Sequence, residues 1–136
     1  MTARHAWSDF AQRLAPCVDF GLLTVLEVDW EQQLVRRSYS SDEANYPSGG
    51  VKRLMGSPWA EHVILGGQPF CSQTRAEFRS AFADFETLEA LGLFHALNVP
   101  CLAGGRTVRT INLLRGHSAF PVSAVSAVRQ AQAPGG

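Results

Sequence analysis

The chain is 136 residues long, 46% hydrophobic and 18% charged, with twelve basic residues against twelve acidic ones. That is the size and make-up of a single globular domain with a core of its own. A formal net charge of zero leaves no electrostatic footprint for nucleic acid or an acidic membrane surface, and no apolar run nears the roughly 20 residues a membrane-spanning helix needs.

The N-terminus, MTARHAWSDF, lacks the apolar core of a signal peptide, so a cytoplasmic location is the default expectation. Residues 2–14 set Ala3, Ala6, Trp7, Phe10 and Leu14 at helical spacing, and the helix stops before Pro16. Phe20–Val28 is almost continuously apolar and reads as a buried strand. After a turn at Asp29–Gln32, Leu34–Ser40 reads as a second strand, antiparallel because the connection is short. Arg36 and Arg37 are neighbours on it and point to opposite faces. Asp42–Gly50 is rich in Asp, Asn, Pro, Ser and Gly and is loop. Residues 42–56 hold few apolar anchors and read as a mobile lid.

Ser57-Pro58 supplies an N-cap and a first-turn proline for a helix from Trp59 to about Leu65, halted by Gly66-Gly67. Gln68–Ser72 reads as a short strand. Thr74-Arg-Ala-Glu77 is a capping box. The helix behind it places Phe78, Phe82 and Phe85 on one face, extended by Leu88 and Leu91, with Gly92 as its C-terminal cap. Phe94–Leu102 and Thr107–Leu114 flank Gly104-Gly105 and form a hairpin. Pro121–Gln130 reads as a last helix with Val122, Val125 and Val128 at threefold spacing, followed by a loose Ala133-Pro-Gly-Gly tail. Strand pairs separated by helices, with no repeats and no linker, predict one α+β domain over residues 1–136 with a central antiparallel sheet.

Six segments share an order and spacing with a known family. They are RRSYSS from Arg36, YPSGG from Tyr46 with Lys52, Pro58-Trp59, Phe82-Ala-Asp84-Phe85, LNVP at 97–100 and TINLL at 110–114. Together they make nearly the whole chain resemble a small stand-alone bacterial GAF domain. The resemblance implies a GAF-like (PAS-related) sheet with the terminal helices on one face and a ligand pocket, bounded by helices and loops, on the other. It also implies a binding or sensory role without catalysis. Arg109 departs from the pattern, standing where GAF hairpins often carry Gly.

The richest constellation is Arg37, Tyr39, Tyr46, Lys52 and Trp59. As a pocket wall and lid, its cations would hold an anionic group and its aromatic rings a planar or apolar body. As plain structure, the aromatics are amphipathic core edges and Arg37 snorkels to solvent. Asn98 and Asn112 join the ligand-binding set, since a buried amide in a strand needs hydrogen-bond partners. A plain two-residue turn at Gly104-Gly105 would put Asn98 opposite Ile111 and the two amides on opposite faces. A bulge near Pro100, which has no N–H to give, would shift the register by one and aim both amides into one cavity. The shifted register is the expectation, because it provides a shared partner.

Cys17, Cys71 and Cys101 are odd in number and scattered, as are His5, His62, His95 and His117, so neither a disulfide framework nor a zinc site is expected. Some GAF proteins reduce free methionine sulfoxide with cysteine thiolates, but the spacings here differ, and the thiols read as core residues. Nothing matches the bilin-binding or cyclic-nucleotide branches. Asp84 stands where a helix N-cap is wanted, with Glu86 and Glu89 in the helix it opens, which explains these carboxylates without acid–base chemistry. No cofactor and no metal are expected. Three readings remain: a small-molecule sensor, dimerising through its end helices; a thiol-dependent reductase; and a ligand-free dimerisation module.

Overall fold

The computed structural model of the chain describes residues 3–132, with side chains described from residue 5 onward. Six strands form one antiparallel sheet: β1 (Leu22–Asp29), β2 (Leu34–Ser40), β3 (Val51–Arg53), β4 (Phe70–Cys71), β5 (His95–Ala103) and β6 (Arg106–Arg115), in the order β3-β2-β1-β6-β5-β4. The helices are α1 (Ala3–Leu14), α2 (Pro58–Ala60), which runs on into a π-helical turn (Glu61–Leu65), α3 (Arg75–Ala81), α4 (Phe85–Ala90) and α5 (Ser123–Gln132). Among the described residues, no helix is long and apolar enough to cross a membrane. The Ala133-Pro-Gly-Gly tail lies outside the described residues.

Side-chain alternation divides the central strands between two layers. Leu23, Val25, Leu97, Val99, Ile111 and Leu113 face α1 and α5, where they meet Phe10, Leu14, Ala124 and Val128. All six sheet residues are fully buried. At about 2 kcal/mol for each buried aliphatic side chain, this layer is a large source of stability. The end helices also meet directly, Arg13 Nη2 donating to the Ala131 carbonyl at 3.1 Å. The other face is covered by α2, α3, α4 and residues 41–56. Two apolar clusters sit there, one around Phe78, Leu88 and Leu114 and one around Leu54, Trp59 and Ile64.

Four features differ from the sequence reading or resolve it. The expected lid contains β3, paired to β2 through Arg36↔Val51, Val35↔Lys52 and Leu34↔Arg53. The lid is also anchored by Tyr46 and Leu54, both buried. The helix expected after Thr74 is two helices, because Phe82 takes an extended backbone (φ −126°, ψ 112°) between them. That break lets the Phe82 ring pack against both apolar clusters at once. Thr74 caps α3, accepting from the Glu77 N–H at 3.1 Å. The last helix starts at Ser123, leaving Val122 before it and 86% exposed, so the valine stripe reduces to Val125 and Val128.

The hairpin resolves the register. Gly104 (φ 61°) and Gly105 (φ 76°) both take the left-handed conformation of a tight two-residue turn. Next to the turn Leu102 pairs with Thr107, but Cys101 pairs with Arg109, so Val108 is an extra residue on β6. The bulge lies close to Pro100, and beyond it the register is the shifted one: Asn98 faces Asn112.

Candidate functional site

Between the second face of the sheet and the α3–α4 break lies a cavity of about 310 Å³. Thr24, Leu26, Val35, Arg37 and Asn112 form its floor; Tyr46, Gly50, Val51 and Lys52 form one wall; Phe82, Ala83 and Asp84 form the other. The centre of the floor is a closed polar chain. Trp59 Nε1 donates to Asn98 Oδ1 at 3.0 Å, and Asn98 Nδ2 donates to Asn112 Oδ1 at 2.7 Å. Thr110 Oγ1 donates to the same oxygen at 3.1 Å, and Asn112 Nδ2 donates to Thr24 Oγ1 at 3.2 Å. Each of these residues is buried. A partly satisfied buried network would be costly; this one leaves neither amide wanting, which is what permits two asparagines at the middle of a sheet.

The wall beside β2 is tied down by its own backbone. The Arg37 N–H donates to the Gly50 carbonyl at 2.8 Å, and the Gly49 N–H donates to the Arg37 carbonyl at 2.6 Å. Gly49 has φ 98°, which favours glycine, and a Cβ on Gly50 would stand 3.1 Å from Arg37 Nη1, so a larger residue there would push the guanidinium aside by a few tenths of an ångström. Above them the guanidinium stacks on Tyr46, 3.8 Å from its ring centre, and donates to the Pro47 carbonyl at 2.7 Å. Tyr46 donates its hydroxyl to Asp84 Oδ2 at 2.5 Å, and Arg37 Nη2 lies 3.6 Å from the same oxygen. Burial pushes the Tyr46 phenol far above the tyrosine range, with Asp84 adding to the rise and Arg37 opposing it. Tyr46 is therefore a neutral donor.

Lys52 is on the exposed edge strand, but its ammonium folds back to 4.3 Å from the Trp59 ring centre. Burial of that head holds its pKa below the usual lysine range; Asp84 opposes the fall and Arg37 adds to it. Among the described residues Lys52 has no carboxylate partner. The cavity thus carries two cations against one carboxylate.

The thiols are elsewhere. Cys71 and Cys101 pack on the α1–α5 layer, and burial raises the pKa of both. Cys71 Sγ donates to the Phe120 carbonyl at 3.3 Å, and Gln132 Nε2 donates to Cys101 Sγ at 3.0 Å. Cys17 is exposed. Among the described residues no three His, Cys, Asp or Glu side chains gather as a metal site would require.

No protein-family model and no curated protein matches the sequence. Solved structures do match. The GAF domain of a two-component sensor histidine kinase from Bacillus halodurans aligns with a TM-score of 0.77, covering 96% of this chain and 88% of its own, at 14% identity. The GAF domain from a phosphoenolpyruvate-protein phosphotransferase of Coxiella burnetii aligns with a TM-score of 0.76, covering 96% and 80%, at 11% identity. This chain has the GAF-domain fold. NreA from Staphylococcus aureus, described as mutated in its nitrate binding site, aligns with a TM-score of 0.64 over 83% of this chain and 85% of its own, at 11% identity. At such identities the likeness is one of fold.

On this GAF frame Arg37, Tyr46, Lys52 and Asn112 line the cavity. Trp59 and Asn98 lie one layer beneath, joined to it through the polar chain. Tyr39 is a correction. Ser38 is an extra residue in β2, since Val25 pairs with Tyr39 and Leu26 with Arg37. Two residues apart on a regular strand share a face; the bulge separates them and turns Tyr39 into the α1–α5 layer. Arg109 lies on that same layer, 3.2 Å from the Glu27 carboxylate and 5.9 Å from the Trp7 ring centre, so it faces away from the cavity.

Sequence reasoning passed over Thr24, Thr110 and Asp84. Thr24 pairs with Asn112, and side-chain parity would have found it once the strand pairing was known. Asp84 does stand at the N-cap position of α4, yet its side chain makes no capping hydrogen bond and reaches into the cavity instead.

Proposed function

We propose that the chain is a regulatory domain that binds a small molecule in this cavity and carries out no chemistry of its own. The observation that supports the reading is a cavity of about 310 Å³ over a floor whose polar groups already satisfy one another. Such a floor needs no protein cover, while the charged and aromatic wall above it is free to orient a guest. The volume lies at the small end of ligand sites, roughly 300–1,000 Å³. Regulation would run through the wall: residues 46–50 are tied to Asp84 by Tyr46 and Arg37, so a guest between them shifts the balance between two arrangements of that wall. A homodimer belongs to the same proposal, although Phe10 and Leu14 are buried in the protomer's own core and Trp7 packs against it half-buried, which leaves only part of the Trp7 ring for such a contact.

Native mass spectrometry of the purified chain, followed by thermal-shift screening of small molecules, tests the reading. A bound small molecule, or stabilisation that follows ligand concentration and is lost in Arg37→Ala, supports it. A ligand at 100 times its Kd should stabilise by about 2.7 kcal/mol. A clean apo dimer that no compound stabilises would favour the dimerisation module. Methionine sulfoxide turnover lost on changing one cysteine would favour the reductase.

A further inference from the structure

Asp84 is the exception among the helix caps around the cavity. Ser57 and Thr74 take extended backbones (φ −132° and −130°) and accept from the amides of Ala60 and Glu77. Asp84, of a residue type well suited to capping, holds φ −98° and ψ 32° and caps nothing. Its carboxylate instead accepts from the Tyr46 hydroxyl at 2.5 Å and pairs with Arg37 at 3.6 Å. The Arg37 side chain is 16% exposed and the Asp84 side chain 42%, so the cation is set inside and the carboxylate at the mouth. At the rim, on the exposed edge strand, Lys52 has only the Trp59 ring as partner among the described contacts, and Leu26, Val35, Val51 and Phe82 supply apolar surface.

We propose, building on the small-molecule reading above, that the ligand is a small organic anion with an apolar body, and that Asp84 holds the place of its anionic head until it arrives. The incoming carboxylate or equivalent oxyanion takes Arg37 and Tyr46 from Asp84 and gives Lys52 a counter-charge. The apolar body lies against Leu26, Val35 and Phe82. Asp84, released, takes the extended backbone that Ser57 and Thr74 show, and its carboxylate accepts from the Thr87 amide, which otherwise donates to the Asp84 carbonyl at 3.1 Å. The exchange keeps a carboxylate on Arg37 throughout, and the added anion balances the second cation, bringing the site from a net +1 to zero. Ligand presence is thereby written into the α3–α4 link.

Sodium benzoate and its neutral isostere benzamide are the probes, titrated at constant ionic strength into the ¹⁵N-labelled full chain. The Trp59 indole N–H and the Thr87 amide are the reporters. Wild-type protein should bind benzoate and discriminate against benzamide, with the Thr87 amide moving as the site fills. Asp84→Asn should bind benzoate about fivefold more tightly, the effect of removing one half-exposed competing charge. Asp84→Ser, which can cap but cannot pair with Arg37, should do the same and guards against a folding defect in the first variant. Lys52→Gln should weaken benzoate by a similar factor. Equal affinity for benzoate and benzamide would leave the pocket reading standing and end this inference. So would unchanged or weaker benzoate binding in both Asp84 variants. Silence at Trp59 with every probe, in wild-type and variant proteins alike, would end both.

Discussion

On the face covered by α1 and α5, the central strands present Leu23, Val25, Leu97, Val99, Ile111 and Leu113; on the other, the same strands present Thr24, Asn98, Thr110 and Asn112 between apolar ends. The first layer gains only by being covered, and α1 and α5 bury all six of these side chains. The second satisfies itself through hydrogen bonds within the sheet and gains little from an apolar lid at its centre. There α2 to α4 pack on the two apolar flanks and leave a cavity between them. One sheet thus supplies a structural layer and a candidate site by alternation alone, and the two should respond differently to the same kind of damage.

The largest effect is expected on the dry layer. Ile111→Ala removes a fully buried side chain and should cost about 2–5 kcal/mol in denaturant unfolding, while ligand binding by the remaining folded protein stays intact. A loss below about 1 kcal/mol would mean that the layer relaxes around the hole and the contrast is weaker than drawn. On the polar layer, Asn112→Ala strips partners from Asn98 Nδ2 and Thr24 Oγ1 and should cost about 1–3 kcal/mol. Asn98→Ala and the double variant complete a cycle; strict additivity would contradict a connected network.

The wall should respond less, and with a pH signature. Tyr46→Phe loses the hydrogen bond to Asp84, half-exposed at the carboxylate, and should cost about 1 kcal/mol at neutral pH. The Tyr46 phenol is raised above its ordinary value near 10, so its contribution is fully present below that pH. It is lost as pH rises further, where the unfolded chain releases the proton and the folded one keeps it. Stability of the wild type should therefore fall more steeply than that of Tyr46→Phe above about pH 10. Parallel curves would place the phenol in water. The smallest effect concerns the thiols: iodoacetamide should modify exposed Cys17 before Cys71 and Cys101, whose burial keeps them protonated. Mass spectrometry of partly alkylated protein, with Cys71 or Cys101 leading, would reverse the assignment of the α1–α5 layer as dry.

What the sequence by itself determined was the kind and order of most elements, β3 and the α3–α4 division excepted: strands from apolar runs, helix starts from Ser57-Pro58 and Thr74, the hairpin from Gly104-Gly105. These signals act within a few residues and survive whatever the rest of the chain does. The shifted hairpin register was legible for a related reason, since two buried amides on paired strands have to find each other. Three matters were decided by tertiary structure. The Ser38 bulge, which sends Tyr39 to the opposite layer from Arg37, exists only in the pairing of β2 with β1. The break at Phe82 is invisible in the spacing of Phe78, Phe82 and Phe85, which suits an unbroken helix, and arises because the ring packs between two clusters. Asp84 carries an unexceptional local signal for a helix cap. Its allegiance passed to Arg37 and to Tyr46, 38 residues away, because a charged and a phenolic donor brought close by the sheet outbid an amide of its own helix.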